Sequence, residues 1–231
     1  MQTKDFTINQ YARAAGVLLL LSFIGGALGE FLILSKLIVH NDAAATAGNI
    51  RSSESLFRFG FAAYLVEAVC DVLLAFVFYK LLKPVHKGLA GVTVLLGLAS
   101  TLTFAFSEFF YYASTIILAN PDYLKVFSGA QLDSLSYLLL VFYGRGAGVF
   151  MVFYGLASII RGYLMFRSGY LPKGLGILLI LAGSSFVTRN FIQVLFPAYL
   201  SDYFMAPMAL TILCLTIWFL VRRIDESKVP S

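Results

Sequence analysis

Six ionisable side chains interrupt long apolar stretches of this chain: Glu30, Glu67, Asp71, Glu108, Arg145 and Arg189. Charges at hydrocarbon depth are rare because each costs roughly 3 kcal/mol or more to insert, so six of them point to an internal polar site. The chemistry open to such a set is proton exchange at the carboxyls and capture of an anion by arginine, which keeps its own proton. Glu67 and Asp71 stand four residues apart, on one helical face and about 6 Å from each other, where like charges repel and a shared proton relieves the conflict. Four acids against two arginines leave two negative charges if everything ionises; protonation, water or a bound cation answers that excess. The competing reading is structural, with Arg145 paired to Glu67 and Arg189 to Glu108 or Glu30, holding helices in register. Six groups at similar depth are more than scattered structural ions require, which favours a cavity.

Other chemistry is sparse. Tyr143, two residues from Arg145, reads either as a ligand donor or as a core tyrosine satisfied by a neighbouring helix. Ser107, Ser184, Ser185 and Thr188 read as hydrogen-bonders between helices. His40 and His86 fall in different joints and cannot meet in one metal site, and Cys70 and Cys214 have neither C-x-x-C nor zinc spacing. No G-x-S-x-G, H-E-x-x-H or P-loop occurs. The expectation is therefore no metal and no cofactor, and an enzyme here would have to run on carboxylates, tyrosine and arginine alone.

The elements that must position these residues follow from composition. Hydrophobic residues make up 60% of the 231 positions and charged residues 13%, against about 25% charged in soluble domains. This pattern predicts a membrane protein, and at about 20 apolar residues per crossing six helices are expected, near 12–34, 57–80, 88–114, 134–160, 174–196 and 203–221. Lys4, Arg13, Lys80, Lys83, Lys87, Arg161, Arg167, Lys173, Arg222, Arg223 and Lys228 collect on one side. Lys36, Arg51, Arg58 and Lys125 lie on the other, among Asp42, Glu54, Asp122, Asp133 and Asp202. Short cytoplasmic joints hold the Lys and Arg excess, so both termini are expected in the cytoplasm. The net charge of +5 is accounted for by this asymmetry and calls for no nucleic-acid partner. The first span reads as retained and not as a cleaved signal, because its apolar run continues to Leu34. Counted from the outer ends, Glu30 and Glu108 lie about 6 Å deep, Arg189 about 12 Å, and Glu67 and Arg145 about 15 Å.

No linker or low-complexity tract divides residues 1–231, which read as one integral-membrane domain. The longest joint, 35–56, contains a short helix capped by Asp42. Lys87-Gly-Leu-Ala-Gly and Lys173-Gly-Leu-Gly each open an outward-going helix, a likeness that chance explains as well as an internal repeat does. Gly25 with Gly29, and Gly144 with Gly148, form small-x-x-x-small faces that permit close helix approach.

The segments Ala12-Arg-Ala-Ala-Gly16, Glu30-Phe31, Asp42-Ala-Ala-Ala-Thr46, Ser53-Glu-Ser-Leu-Phe-Arg58, Cys70-Asp71 and Gly162-Tyr-Leu-Met-Phe-Arg-Ser-Gly-Tyr-Leu-Pro172, followed by Gly174-Leu-Gly176, resemble a bacterial integral-membrane family. That family is catalogued as domain of unknown function 4386. The resemblance implies a multi-helix protein of the bacterial inner membrane and brings no catalytic or binding residues with it. Its pattern places a histidine soon after the Gly155-Leu156 pair, where this chain has Ala157, so a role resting on that histidine is absent.

The sequence thus predicts an all-α bundle of six transmembrane helices with both termini cytoplasmic. Its expected outward-facing site centres on Glu67, Asp71 and Arg145, with Glu30, Glu108 and Arg189 nearer the mouth and Tyr143 beside them. The expected partners are the lipid bilayer and a small-molecule ligand, with no nucleic acid and no signal for oligomeric state. Binding or transport of a small polar or anionic solute is the leading function. A membrane-embedded lipid-modifying enzyme and a non-catalytic accessory or sensor subunit are the alternatives.

Overall fold

In the computed structural model, which describes residues 6–230 with the side chains of Ala147 and Asp202 left aside, the fold is all-helical, with 86% helix and no strand among the described residues. The elements are α1 (Ile8–Ala27), a π-helical segment (Leu28–Leu34), α2 (Ser35–Leu37), α3 (Ala43–Ser52), α4 (Glu54–Leu82), α5 (Lys87–Leu118), α6 (Gly129–Ser168), α7 (Lys173–Leu195) and α8 (Ala206–Val221), with short 3-10 turns between some of them. Six helical stretches are long and apolar enough to cross a membrane: Ile8–Leu37, Glu54–Leu82, Lys87–Leu118, Gly129–Ser168, Lys173–Leu195 and Tyr203–Val221. The chain is a multi-pass membrane protein. Of the basic and acidic residues that set the predicted sidedness, Lys4 and the side chain of Asp202 lie outside what is described.

Helix ends fall where the sequence supplies stop signals. Asn120 (φ 48°) precedes Pro121 after α5, and Gly169 (φ 75°) closes α6 three residues before Pro172, since a left-handed residue ends a helix and proline cannot continue one. Asp42 caps α3 as predicted, its carboxylate accepting from the Ala45 amide at 2.9 Å. Lys87 and Lys173 each open a helix.

Two departures matter. The fourth span runs 40 residues, about 60 Å of helix against a hydrocarbon core of about 30 Å, and continues past position 160, so Arg161 lies within it and is 5% exposed. The first span is interrupted by the π turn around Glu30, in which the Ser35 amide reaches back to the Glu30 carbonyl.

Contacts divide the chain into two compact units whose boundaries fall inside α1, α4, α5 and α6. The first unit comprises the chain up to Leu21, Val69–Thr101, and everything from Gly148 onward. Its core takes Ala12, Ala15 and Leu19 from α1, Leu74, Val77, Phe78, Leu81 and Leu82 from α4, and Leu215 and Phe219 from α8, spacings that keep one helical face inward. Tyr170 donates to the Leu81 carbonyl at 2.6 Å. Within this unit α6 and α7 approach through glycines the sequence reading did not pair: a Cβ at Gly162 would lie 2.5 Å from the Gly176 carbonyl, and one at Gly155 2.7 Å from that of Gly183.

The second unit comprises Ser22–Ala68 and Leu102–Ala147. Phe57 and Tyr111 stack at 4.2 Å between ring centroids, and Arg51 bridges to Asp133 at 2.5 Å. The close approach predicted at Gly25 is present, where a Cβ would meet the Ala63 carbonyl at 2.8 Å, as is that at Gly29, where one would strike the Tyr64 ring. At Gly144 nothing lies within 4 Å, whereas in the first unit a Cβ at Gly148 would lie 2.9 Å from the Asn190 amide oxygen, so close approach on the expected Gly144 and Gly148 face is found at Gly148 alone.

Candidate functional site

In the second unit, acids and phenols gather. Glu108 on α5 is 2% exposed, and neither of its carboxyl oxygens has a hydrogen-bond partner among the described residues. Glu30, on the π segment, accepts from the Tyr64 hydroxyl at 3.0 Å. Tyr64 and Tyr143 lie 6.0 Å apart between ring centroids, and Tyr111 and Tyr143 5.4 Å apart. Glu108 and Glu30 act electrostatically on all three phenols. Glycine makes this crowding possible: the absent side chain at Gly29 admits the Tyr64 ring, and a Cβ at Gly60 would lie 2.7 Å from the Tyr111 hydroxyl, which donates to the Phe57 carbonyl at 2.7 Å. Glu67 lies over α1, with an oxygen 2.9 Å from where a Gly26 Cβ would be.

Burying a carboxyl whose oxygens accept nothing is costly, because desolvation is then offset by no donor. Tyr111 has spent its proton on a backbone carbonyl and Tyr64 on Glu30, so the phenols shape this site without answering Glu108. Among the described residues no group of three or more His, Cys, Asp or Glu could hold a metal ion.

The first unit holds a charge of the opposite sign. Arg161 on α6 presents its guanidinium to the Phe78 face at 5.0 Å, a favourable cation–π arrangement, and makes a long contact of 3.5 Å to the Thr93 carbonyl. Its Nε has no hydrogen-bond partner among the described residues. Tyr154 and Asp71 act on its charge, and both line, with Gly97, Thr101 and Arg161, a cavity of about 10 Å³. That is room for one water. A Cβ at Gly97 would lie 2.8 Å from a guanidinium nitrogen, so glycine again makes way for a large polar group.

The six predicted residues are divided between the two units. Glu30, Glu67, Glu108 and Arg145 belong to the second unit, whereas Asp71 and Arg189 belong to the first. Glu67 and Asp71 share α4, one turn apart, with the boundary between them. Arg145 is the clear correction: its side chain is exposed, and the expected ion pair with Glu67 or Glu30 is absent among the described residues. On a 40-residue helix it projects from the surface instead of turning into the acids. Tyr143, two residues earlier on a different face, is buried at 7% exposure. Arg189 is half-buried on α7.

Arg161 and Tyr154 were missed because Arg161 reads as one of the basic residues flanking a span. The available signal was Gly155 and Gly162 on either side of it, which continue the helix-packing pattern past position 160. Tyr64 and Tyr111 were missed inside aromatic-rich segments.

A family model described as domain of unknown function (DUF4386) matches residues 14–222. Comparison with curated proteins and with solved structures finds no match.

Proposed function

The chain belongs to the family of the domain of unknown function DUF4386, and we propose that it binds or transports a small polar solute in a process that exchanges a proton at Glu108. The observation that carries this reading is the Glu108 carboxyl, 2% exposed with both oxygens unanswered by hydrogen bonds among the described residues. A carboxyl kept only for structure is normally buried with its donors. One that exchanges a proton needs the opposite, an acceptor left open beside polar neighbours, and Glu30, Tyr64, Tyr111 and Tyr143 supply that setting.

The test is thermal unfolding of the purified full chain, in wild type and Glu108→Gln, across roughly pH 5 to 9. A panel of carboxylates, phosphates and neutral polyols is included. The expected result is a solute that raises the wild-type midpoint in a pH-dependent way and loses that dependence in Glu108→Gln. Identical pH profiles in the two proteins would remove Glu108 from the mechanism.

A second reading, in which the protein is a non-catalytic accessory or sensor subunit, is favoured by the Arg161 site, whose charge is enclosed with no room for a solute. Solute-independent midpoints across the whole panel would support it.

We place the protein in the cell membrane, the inner membrane of a bacterium, with both termini cytoplasmic. The support is the positive-inside asymmetry, which survives the loss of Arg161 because Lys83, Lys87, Arg167, Lys173, Arg222 and Arg223 all stay at exposed or partly exposed positions. A cysteine placed at Asn41 or Tyr123 is expected to react with an impermeant thiol reagent from outside intact cells, and one at Lys83 or Ser168 is not. The reverse pattern would invert the assignment.

A further inference from the structure

A cavity of about 370 Å³ in the first unit shares no lining residue with either charged site. It is lined by the α4–α5 turn, by the last two turns of α6 and by Pro230 of the C-terminal tail. We infer that this cavity is a binding site for an anionic phospholipid of the surrounding bilayer, its phosphate held by Arg167 and His86 and its apolar part lying against Leu89, Leu164 and Tyr163.

Charge is the first argument. Arg167 lines the cavity with its side chain exposed, and no acidic side chain lines it, so its guanidinium fork is available for two parallel bonds to phosphate oxygens. The second argument is the state of His86. Its Nδ1 accepts from the Leu89 amide at 3.1 Å, capping α5, which in the neutral ring leaves the proton on Nε2 as a donor. Ser168 is spent elsewhere, donating to the Met165 carbonyl and accepting from the Leu171 amide.

Place is the third argument. The lining residues stand where three membrane spans end or begin, at Leu82, Lys87 and Ser168, the level at which a phospholipid presents its phosphate. A basic pocket between helix ends at that level is a known form of lipid headgroup site. The volume falls in the range of small-molecule sites. Leu164, 1% exposed, belongs to the core of the unit, so part of the floor is fixed by packing. The inference is independent of Glu108 and of the solute reading.

The experiment uses the purified full chain in neutral detergent. Unfolding midpoints and retained lipid by native mass spectrometry are measured with added phosphatidylglycerol, phosphatidylcholine or inorganic phosphate. Phosphatidylglycerol is expected to raise the midpoint and stay bound, phosphatidylcholine to do so less, and inorganic phosphate not at all. Arg167→Gln should weaken phosphatidylglycerol about tenfold, as loss of a charge-assisted bond pair predicts. His86→Asn, which preserves the cap through an amide oxygen, should weaken it by a smaller factor. Arg222→Gln, an exposed arginine outside the cavity, should leave lipid binding unchanged. Equal lipid response in wild type and Arg167→Gln would overturn the site. So would an equal loss in Arg222→Gln, which would mean a diffuse surface attraction, or stabilisation by inorganic phosphate matching that by the lipid.

Discussion

Glu108 and Arg161 are both almost fully buried ionisable groups on long apolar helices, and the chain treats them differently. Arg161 is enclosed by attraction from several directions: the Phe78 face, the Thr93 carbonyl, and the Asp71 and Tyr154 groups that share its water-sized cavity. Glu108 has phenols in its neighbourhood, but the hydroxyls of Tyr64 and Tyr111 are committed to Glu30 and to Phe57. The lesson is that burial alone does not separate a structural charge from a functional one. What separates them is whether the neighbours' donors and acceptors are aimed at it.

The sharpest way to break this comparison is to remove one charge from each region and measure unfolding in detergent. Asp71→Asn is expected to destabilise by about 3 kcal/mol, because it withdraws a countercharge from buried Arg161, and adding Arg161→Met should recover much of that loss. Glu108→Gln should cost less than about 1 kcal/mol, since it replaces a carboxyl whose oxygens accept no hydrogen bond among the described residues. Equal losses at the two sites, or additivity of the Asp71 and Arg161 changes, would erase the distinction.

A smaller effect is expected where glycine makes room for each site. Gly97→Val would push on the Arg161 guanidinium and Gly60→Val on the Tyr111 hydroxyl, and overpacking of this kind costs about 1–3 kcal/mol. The Gly97 change should be the milder, because the end of an arginine side chain can swing aside whereas Tyr111 is held in a ring stack. A larger loss at Gly97 would mean that Arg161 is held more rigidly than its long contact to Thr93 implies.

The smallest effect serves as a solvent-exposed control. Hydrogen bonds from Ser227, its side chain foremost, and from Lys228 hold the Asp225 carboxyl below its ordinary value of 3.8. Because the folded value is the lower one, the contribution to stability is fully present above the ordinary value and is lost as pH falls through the folded value. Ser227→Ala should therefore cost a slight stability at neutral pH, and the difference from wild type should vanish as pH falls below about 4. A difference between the two proteins that persists unchanged in acid would contradict this account.

The helices were legible because apolar runs of membrane length have few alternative readings, and Asp42 carries local capping chemistry that tertiary context does not override. Glu108, Glu30 and Tyr143 were legible as candidates because polar groups stand out against such runs. Arg161 was not, since a basic residue near the expected end of a span looks the same whether it faces headgroups or a cavity. Tyr111 and Tyr112 show the other limit: adjacent in sequence and of the same type, they are 0% and 41% exposed. Only the partner helix decides which of two neighbouring rings turns inward. Arg145 was misread for the same reason, because depth along a helix says nothing about the direction in which a side chain leaves it.

The π segment at Leu28–Leu34 works as a clutch in the first span. A wider turn holds one residue more than an α-helical path of that length, and each residue advances a helix by about 100°. Gly29, Ile33 and Leu34 within the segment, and Leu37 beyond it, are buried. The chain can therefore shed one residue inside this stretch, return to an α-helical path and leave everything outward of the cut facing as before, whereas a deletion in the α-helical part of the span would dial it round by nearly a third of a revolution. The first span thus keeps its one spare residue at the turn that carries Glu30.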